Sequence, residues 1–476
     1  MANKRPHLQV PAWLLAVGMS ATLIGGGVIG YMTHSVTEST TTSTANLPEG
    51  FDKVLQTYAT IQTGYYKKTT SKQLTAGAIS GMLDSLKDPY STYLANDSKS
   101  SLDSTLSASF GGIGATVQQT SNKLTIESIL PDTPAKKAGL KVGDQLLSVN
   151  GKSVEKADVT TAVTKIRGKI GTSVKVTVKR NSATQTFTMT RAKITTDTAV
   201  GTLDKTNKHV GVITMATFSE PTAKQFKQAV KKLRKQGATS FVLDLRGNPG
   251  GMLDQALKIA SMCLKNGQTI VKVQDRNGNT QNYQAGKKYD DGFKVTEPLA
   301  VVIDGDSASA SEILAAALNE NRNSPLVGAQ SYGKGTVQSV MPISKTAEVK
   351  LTVAKWLTPK GHWINKKGLT PTTKVADPAY MTIKAIAAKS LKLGDESGDV
   401  KSLQQLLKAV GQDPGTINGY YGPTTQTAVT AFQKANQLTA NGTADQKTLA
   451  ALVAKLVAQY QDQDPQLQAA VKAAAK

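Results

Sequence analysis

The sequence predicts a multidomain chain: an N-terminal transmembrane helix, a helical segment, a β-rich domain set before a larger α/β domain, and a small all-α domain near the C-terminus. Three observations carry this. Residues Val10–Met32 form a run of 23 residues without a charge, long enough to span a bilayer core of about 30 Å as a helix. Residues 105–190 read as short strands with turn punctuation, apolar and polar residues alternating with period two, whereas 209–345, inside a domain bounded at 191–385, changes to strand–loop–helix units in series, the pattern of a parallel or mixed sheet. Past a short break near 385–395, apolar residues recur at helical spacing: Val400, Leu403, Leu407 and Val410, then Ala428, Phe432 and Ala435.

Each element follows in order. Lys4 and Arg5 precede the uncharged run and Glu38 is the first charge after it. The positive-inside rule therefore places residues 1–9 in the cytoplasm and everything after the anchor, 10–32, outside. A cleaved signal peptide is the alternative, but its apolar core is usually shorter and ends in a small-residue cleavage site, which is not evident here. Residues 33–50 are a Ser/Thr-rich linker. Residues 51–104 are expected to be helical from Phe51, Val54, Leu55, Tyr58 and Ile61, closing in DPYSTYL (88–94). In the β-rich domain, Asn150-Gly151 marks a tight turn, and Asn181-Ser182 breaks an alternating run into a hairpin. In the α/β domain, HVGVITMATF, SFVLDLR and LAVVID read as strands, so GNPGG and GDSASAS fall at C-terminal strand ends, where sites gather in such sheets. The all-α domain is bounded at 391–457. Residues 458–476 are a tail of Gln, Asp and Ala outside any domain, with no evident function.

Composition narrows the function classes. The formal charge is +23, but lysines are spread along the whole length and no Arg-rich or RNP-like element occurs. Nucleic acid is therefore not an expected partner, and long-range attraction to anionic wall polymers fits the outward-facing chain. One cysteine excludes an intrachain disulfide framework, and Cys263 lies in an apolar helical pattern as a buried, inert thiol. With four histidines and one cysteine, no cluster has metal-ligand spacing, and neither metal nor cofactor is expected.

The chemistry concentrates in DSASASEI (306–313). Ser309 and Glu312 make the S-x-x-E of a capping box, a structural reading in its own right. Yet the octet directly follows a strand, where a serine is presented at a strand end and a neighbouring amide can face a developing oxyanion. Gly247, Pro249, Gly250 and Gly251 form a second strand-end loop whose backbone can approach a ligand closely. None of His7, His34, His209 and His362 sits in a motif that supports a triad, although His362 stays open. Lys334, bracketed by Gly333 and Gly335, is the rival base. To serve, its pKa must fall by about 3 units, roughly 4 kcal/mol, which burial can supply. Gln338 lies four residues on, and in a strand the two positions would share a face. Ser331-x-x-Lys334 is a further pairing, but the flanking glycines break any helix and no S-D-N or K-T-G accompanies it.

The run DSASASEILAAALNENRNSPLVGAQSYGKGTVQ resembles the core of the C-terminal processing peptidases, the tail-specific proteases. LDLRGNPGG, DPYSTYL and AKWLTPKGHWINKKGLTPT are similar to that family too, so the likeness spans roughly residues 50–380. It implies a serine endopeptidase with Ser309 as nucleophile, Lys334 as base, Gln338 orienting the lysine, and oxyanion donors from Gly250 or Gly251 and Ala310. SFGGIGATV (109–117) and TPAKKAGLKVGDQLLSVNGKSV resemble a PDZ domain, implying that Gly112, Ile113 and Gly114 hold the terminal carboxylate of a polypeptide added as a strand. The last domain resembles peptidoglycan-binding domains through GDESGDVKSLQ, NGYYG and AVTAFQ. The expectation is a membrane-anchored, wall-side protease that cleaves proteins recognised by their C-termini. A non-catalytic wall-bound PDZ scaffold is the alternative, and a homo-oligomer is left open.

Overall fold

The computed structural model describes residues 48–120, 123–376, 380, 383–460 and 463–476. The expected anchor at 10–32 and most of the linker lie outside these residues. Among the described residues no helix is long and apolar enough to cross a membrane.

The lead-in is helical as expected, in two pieces, Phe51–Gly64 and Ser71–Asp84, the second started by a capping box between Thr70 and Gln73. The predicted apolar face of the first is not covered: Val54 and Leu55 stay exposed, and only Leu83 of the second helix is buried. DPYSTYL then leads into the strand Thr92–Ala95, which pairs antiparallel with Ala347–Leu357. The lead-in is thereby built into the sheet that carries the downstream site.

The β-rich domain is a sheet around its own core of Leu124, Ile126, Leu146, Val174, Val176 and Val178. Asn150 and Gly151 both take positive φ at a hairpin turn, and Asn181 does the same between Ser173–Arg180 and Ala183–Thr190. The first of those long strands alternates buried and exposed residues, so period two correctly named its buried face. Ala115–Thr120 is an edge strand of this sheet and lies beside the helix Val159–Ile166.

The α/β domain is a six-stranded sheet in the order Ala199–Leu203, Val210–Met215, Ser240–Asp244, Leu299–Ile303, Leu326–Gly328, Thr373–Lys374, parallel except for the first pair. Its two central strands are buried on both faces, which is why they read as unbroken apolar runs. Phe241, Leu243, Val301 and Ile303 point to one face, packed by the helices Thr222–Lys235, Leu253–Cys263 and Ala310–Arg322. Cys263 is buried there, and burial pushes its thiol up to about 12, as an inert core residue requires.

The opposite face corrects the sequence reading. Val212, Val242, Ala300, Val302 and Val327 are covered by Ala470, Val471 and Ala474 of the helix Pro465–Ala474. The tail that seemed to lie outside any domain is the second layer of the six-stranded sheet. Its small side chains allow close approach to a flat Val/Ala surface, and alanine favours the helix without marking which face is to be buried. The all-α unit between has helices Gly398–Ala409, Pro423–Ala435 and Gln446–Tyr460 around Val400, Leu403, Leu407, Ala428 and Phe432. Ala435 is exposed at a helix end, and the last helix runs past the expected boundary at 457. Ile386 and Ala388, read as a break between domains, and Ile383, assigned to the end of the α/β domain, pack on this core.

Candidate active site

The strand Leu299–Ile303 runs into a tight turn and then the helix Ala310–Arg322. Asp304 Oδ1 accepts the N–H groups of Asp306 and Ser307 at 3.0 and 2.9 Å, closing the turn. Ser307 Oγ donates to Leu245 O at 2.8 Å, and Ser311 Oγ donates to Asn248 O at 2.9 Å. The outer two serines thus fasten this turn to the glycine loop. The middle one does not. Ser309 is fully buried, and its Oγ has no hydrogen-bond partner among the described residues. Its backbone sits at φ 57°, ψ −112°, a conformation that costs a non-glycine residue of order 1–3 kcal/mol and persists only when its surroundings enforce it.

Glu312 supplies that enforcement. Its Oε2 accepts the N–H of Ser309 at 2.8 Å and that of Lys334 at 2.9 Å. Its Oε1 accepts the Gly333 N–H at 2.7 Å and the Ser331 hydroxyl at 2.5 Å. One buried carboxylate therefore joins the serine turn to the lysine loop. Ser331 also accepts the Leu369 N–H at 2.6 Å, so its hydroxyl is occupied structurally and the Ser331/Lys334 pairing is not favoured. The glycines around Lys334 are required by close backbone: a Cβ on Gly333 would meet Gly368 N at 2.7 Å, and one on Gly335 would meet Asn365 N at 2.8 Å.

Lys334 is 2% exposed, with Nζ 4.5 Å from the centre of the Tyr90 ring. Burial, reinforced by the nearby Lys350 charge and opposed by Asp88 and Glu312, lowers its pKa to about 7. Lys334 lies before the strand Thr336–Ser344 and not within it, so the expected shared strand face does not exist. Gln338 is fully buried, donates from Nε2 to Thr336 Oγ1 and Thr352 Oγ1, both at 3.0 Å, and leaves Oε1 without a partner among the described residues. Asp88 accepts from Ser91 Oγ at 2.6 Å, and Ser91 Oγ accepts the Thr352 N–H at 3.0 Å. DPYSTYL is thus stitched to the strand Ala347–Leu357, the antiparallel neighbour of the strand that holds Gln338. His362 lies elsewhere: its side chain is 70% exposed and contacts Glu320.

In the glycine loop, Gly250 and Gly251 take φ 99° and 139°. A Cβ on Gly250 would fall 2.9 Å from Ser309 Cβ and 3.0 Å from Ala310 N, so the loop lies directly against the serine. The Gly250 N–H, however, donates to Asn248 Oδ1 at 2.9 Å. Of the expected oxyanion donors, that amide is occupied within the loop. In the β-rich domain, Gly112 ends the strand Ser109–Gly112, Ile113 is buried, and Gly114 turns at φ 78° against Thr133. These three residues lead directly into the edge strand.

Comparison with known proteins identifies the domains. Residues 209–375 match the model of peptidase family S41, 111–190 that of a PDZ domain, 396–452 that of a peptidoglycan binding domain, and 18–98 that of the activating protease CtpB N-terminal domain. The carboxy-terminal processing protease CtpA of Bacillus subtilis is 40% identical over 89% of this chain and 90% of its own length. The chain belongs to the carboxy-terminal processing proteases. The CtpB protease of the same organism is 37% identical over 96% of this chain and 98% of its own. Among solved structures, the photosystem II D1 C-terminal processing protease aligns at 27% identity and a TM-score of 0.41, covering 69% of this chain and 87% of that one. This processing protease is a serine-type enzyme carrying a PDZ and a peptidoglycan-binding domain.

Sequence reasoning on the processing protease missed the residues that shape the lysine's surroundings. Asp88 and Tyr90 come from the turn before the strand Thr92–Ala95, far from Lys334 in sequence, and Lys350 and Thr352 from the strand Ala347–Leu357. Asp88-Pro-Tyr90 was noticed as a motif, but nothing local says that it reaches Lys334. Glu312 was read as a cap. Its longer-range bonds to Ser331, Gly333 and Lys334 have no local signature.

Proposed function

We propose that this protease is a membrane-anchored, wall-side endopeptidase that uses a Ser309/Lys334 dyad on proteins captured by their C-termini. The carrying observation is the buried, unpartnered Ser309 hydroxyl, whose own amide shares one carboxylate oxygen with the amide of a lysine poised near neutrality. The neutral Lys334 amine takes the Ser309 proton as Oγ attacks the peptide carbonyl. The amides of Gly251 and Ala310 receive the oxyanion. Lys334 then gives its proton to the leaving amine, and water resolves the acyl-enzyme by the same route. Gln338 Oε1 holds the amine in line. Upstream, the substrate tail adds to the edge strand Ala115–Thr120 in the groove beside Val159–Ile166, its carboxylate at the amides of Gly112, Ile113 and Gly114. The charge-free run 10–32 supports the anchor, and the net charge of +23 supports contact with anionic wall polymer.

An active-site fluorophosphonate tests the chemistry. One adduct is expected by peptide mass mapping, on the fragment containing Ser309, and none in Lys334→Ala. An adduct on another serine would remove the assignment.

The structure also decides how the wall domain must be tested. Cutting the chain after residue 390 would strip the helix Pro465–Ala474 from the protease sheet. Replacing residues 383–460 by a flexible Gly/Ser linker keeps that helix. The excised protein should cleave a soluble peptide within about twofold of wild type, yet sediment less with isolated walls. Equal sedimentation would count against a wall-binding role.

A further inference from the structure

The helix Pro465–Ala474 does more than cover apolar surface. Asp464, its N-cap, accepts the Leu467 N–H at 2.9 Å and also meets Arg246. Arg246 Nη1 donates to Asp464 Oδ1 at 2.9 Å and Nη2 to Asp464 Oδ2 at 2.6 Å, a two-point fork. Nη1 donates further to Gln466 Oε1 at 3.2 Å. On its other side the guanidinium grips Asp244, at the end of the central strand, with Nε to Oδ1 at 2.9 Å and Nη2 to Oδ2 at 2.7 Å. Gln466 is fully buried and donates to Val375 O at 3.0 Å, so the chain leaving the wall domain is tied to the chain that enters it.

Arg246 opens the glycine loop. The next residue, Gly247, donates to Asp304 in the serine turn. Asn248 follows, and its carbonyl accepts from Ala308 N at 3.0 Å and Ser311 Oγ at 2.9 Å, on either side of Ser309. Its side chain holds the Gly250 amide. A shift of Arg246 would therefore reach the serine turn through two peptide units and a set of short hydrogen bonds.

We propose that Arg246 and Asp464 are positioning residues: their fork lets the helix that follows the wall domain hold the glycine loop in register with Ser309. This rests on Ser309 as nucleophile. A Ser309→Ala protein that still turned over would remove that reading, whereas the test below removes only the present one.

Asp464→Asn is the informative variant. Asparagine caps a helix about as well as aspartate, so the helix start survives while the charged fork is lost. The expected result on a soluble peptide is a fall in kcat of about tenfold, within the range expected of a sub-ångström misplacement when 1 Å costs on the order of 10²-fold. KM and melting temperature should stay close to wild type, and the rate of fluorophosphonate labelling at Ser309 should fall in parallel with kcat. Asp464→Glu, which keeps the charge, should recover part of the loss. Arg246→Lys should resemble Asp464→Asn, since an ammonium cannot make the fork. Wild-type kcat in Asp464→Asn overturns the proposal. So does a loss of kcat that tracks a lowered melting temperature and vanishes when the assay is cooled, because that pattern belongs to stability alone.

Discussion

Ser309→Ala should lower kcat for peptide cleavage by on the order of 10⁶-fold, the scale set by removing a serine nucleophile, and leave the fold intact. The substitution removes one oxygen that has no hydrogen-bond partner, so no buried donor or acceptor is orphaned by its loss. The backbone at φ 57° is as unfavourable for alanine as for serine, and Glu312 still binds the amide. Melting temperature should therefore be unchanged or slightly raised. Ser307→Ala and Ser331→Ala make the contrast. Each deletes a hydroxyl bonded on two sides, so they should lose stability while keeping measurable turnover. Steady-state kinetics with thermal melts on the three proteins separates the roles, and near wild-type turnover in Ser309→Ala would end the case for an acyl-enzyme at this position.

Lys334→Arg should be as inactive as Lys334→Ala, each down by about 10²–10⁴-fold or more, because a guanidinium does not give up its proton in a protein. The wild-type rate should climb with pH through an apparent pKa near 7, since only the neutral amine accepts the serine proton and burial brings Lys334 to about that value. Gln338→Ala should slow the enzyme without silencing it. The same shift has a consequence for stability. The folded pKa lies below the unfolded one, so between about 7 and 10.5 the unfolded chain holds the extra proton and the native state gains stability as pH rises. Below that window the buried charge costs about 5 kcal/mol at 1.36 kcal/mol per unit. Lys334→Met should accordingly melt higher than wild type near neutrality while being inactive. A histidine base would instead make His362→Ala inactive. An active Lys334→Arg, or an inactive but folded His362→Ala, would overturn the lysine assignment.

Where the fold was legible in the sequence, one local period decided it. Ser173–Arg180 and Ala183–Thr190 alternate around an Asn-Ser turn and form that hairpin. The strands ending at Asp244 and Ile303 are apolar throughout because both of their faces are covered. Ser309 and Lys334 stand out as candidates in the sequence because small residues and glycines surround them, and Gln338 because it lies four residues past Lys334. What stayed hidden depends on contacts between distant segments. Val54 and Leu55 have the right spacing for a buried face and bury nothing. Lys334 lies before the strand that carries Gln338, so strand period does not relate the two. The tail gave no signal because its partner surface is a sheet more than a hundred residues earlier, and a helix of alanines announces no destination.

That last separation also sets an order of events during synthesis. Residue 465 emerges 138 residues after Val327, an interval of roughly 7–28 s at ordinary translation speeds of about 5–20 residues per second. Throughout it, the sheet can form with its first three helices while Val212, Val242, Ala300, Val302 and Val327 stand bare on the other side. Any sheet formed in that interval keeps a sticky apolar surface open, and the arrival of Pro465–Ala474 closes it. A ribosome that stops early would release a chain with its nucleophile and base present and its sheet uncovered, an open target for chaperones and for degradation.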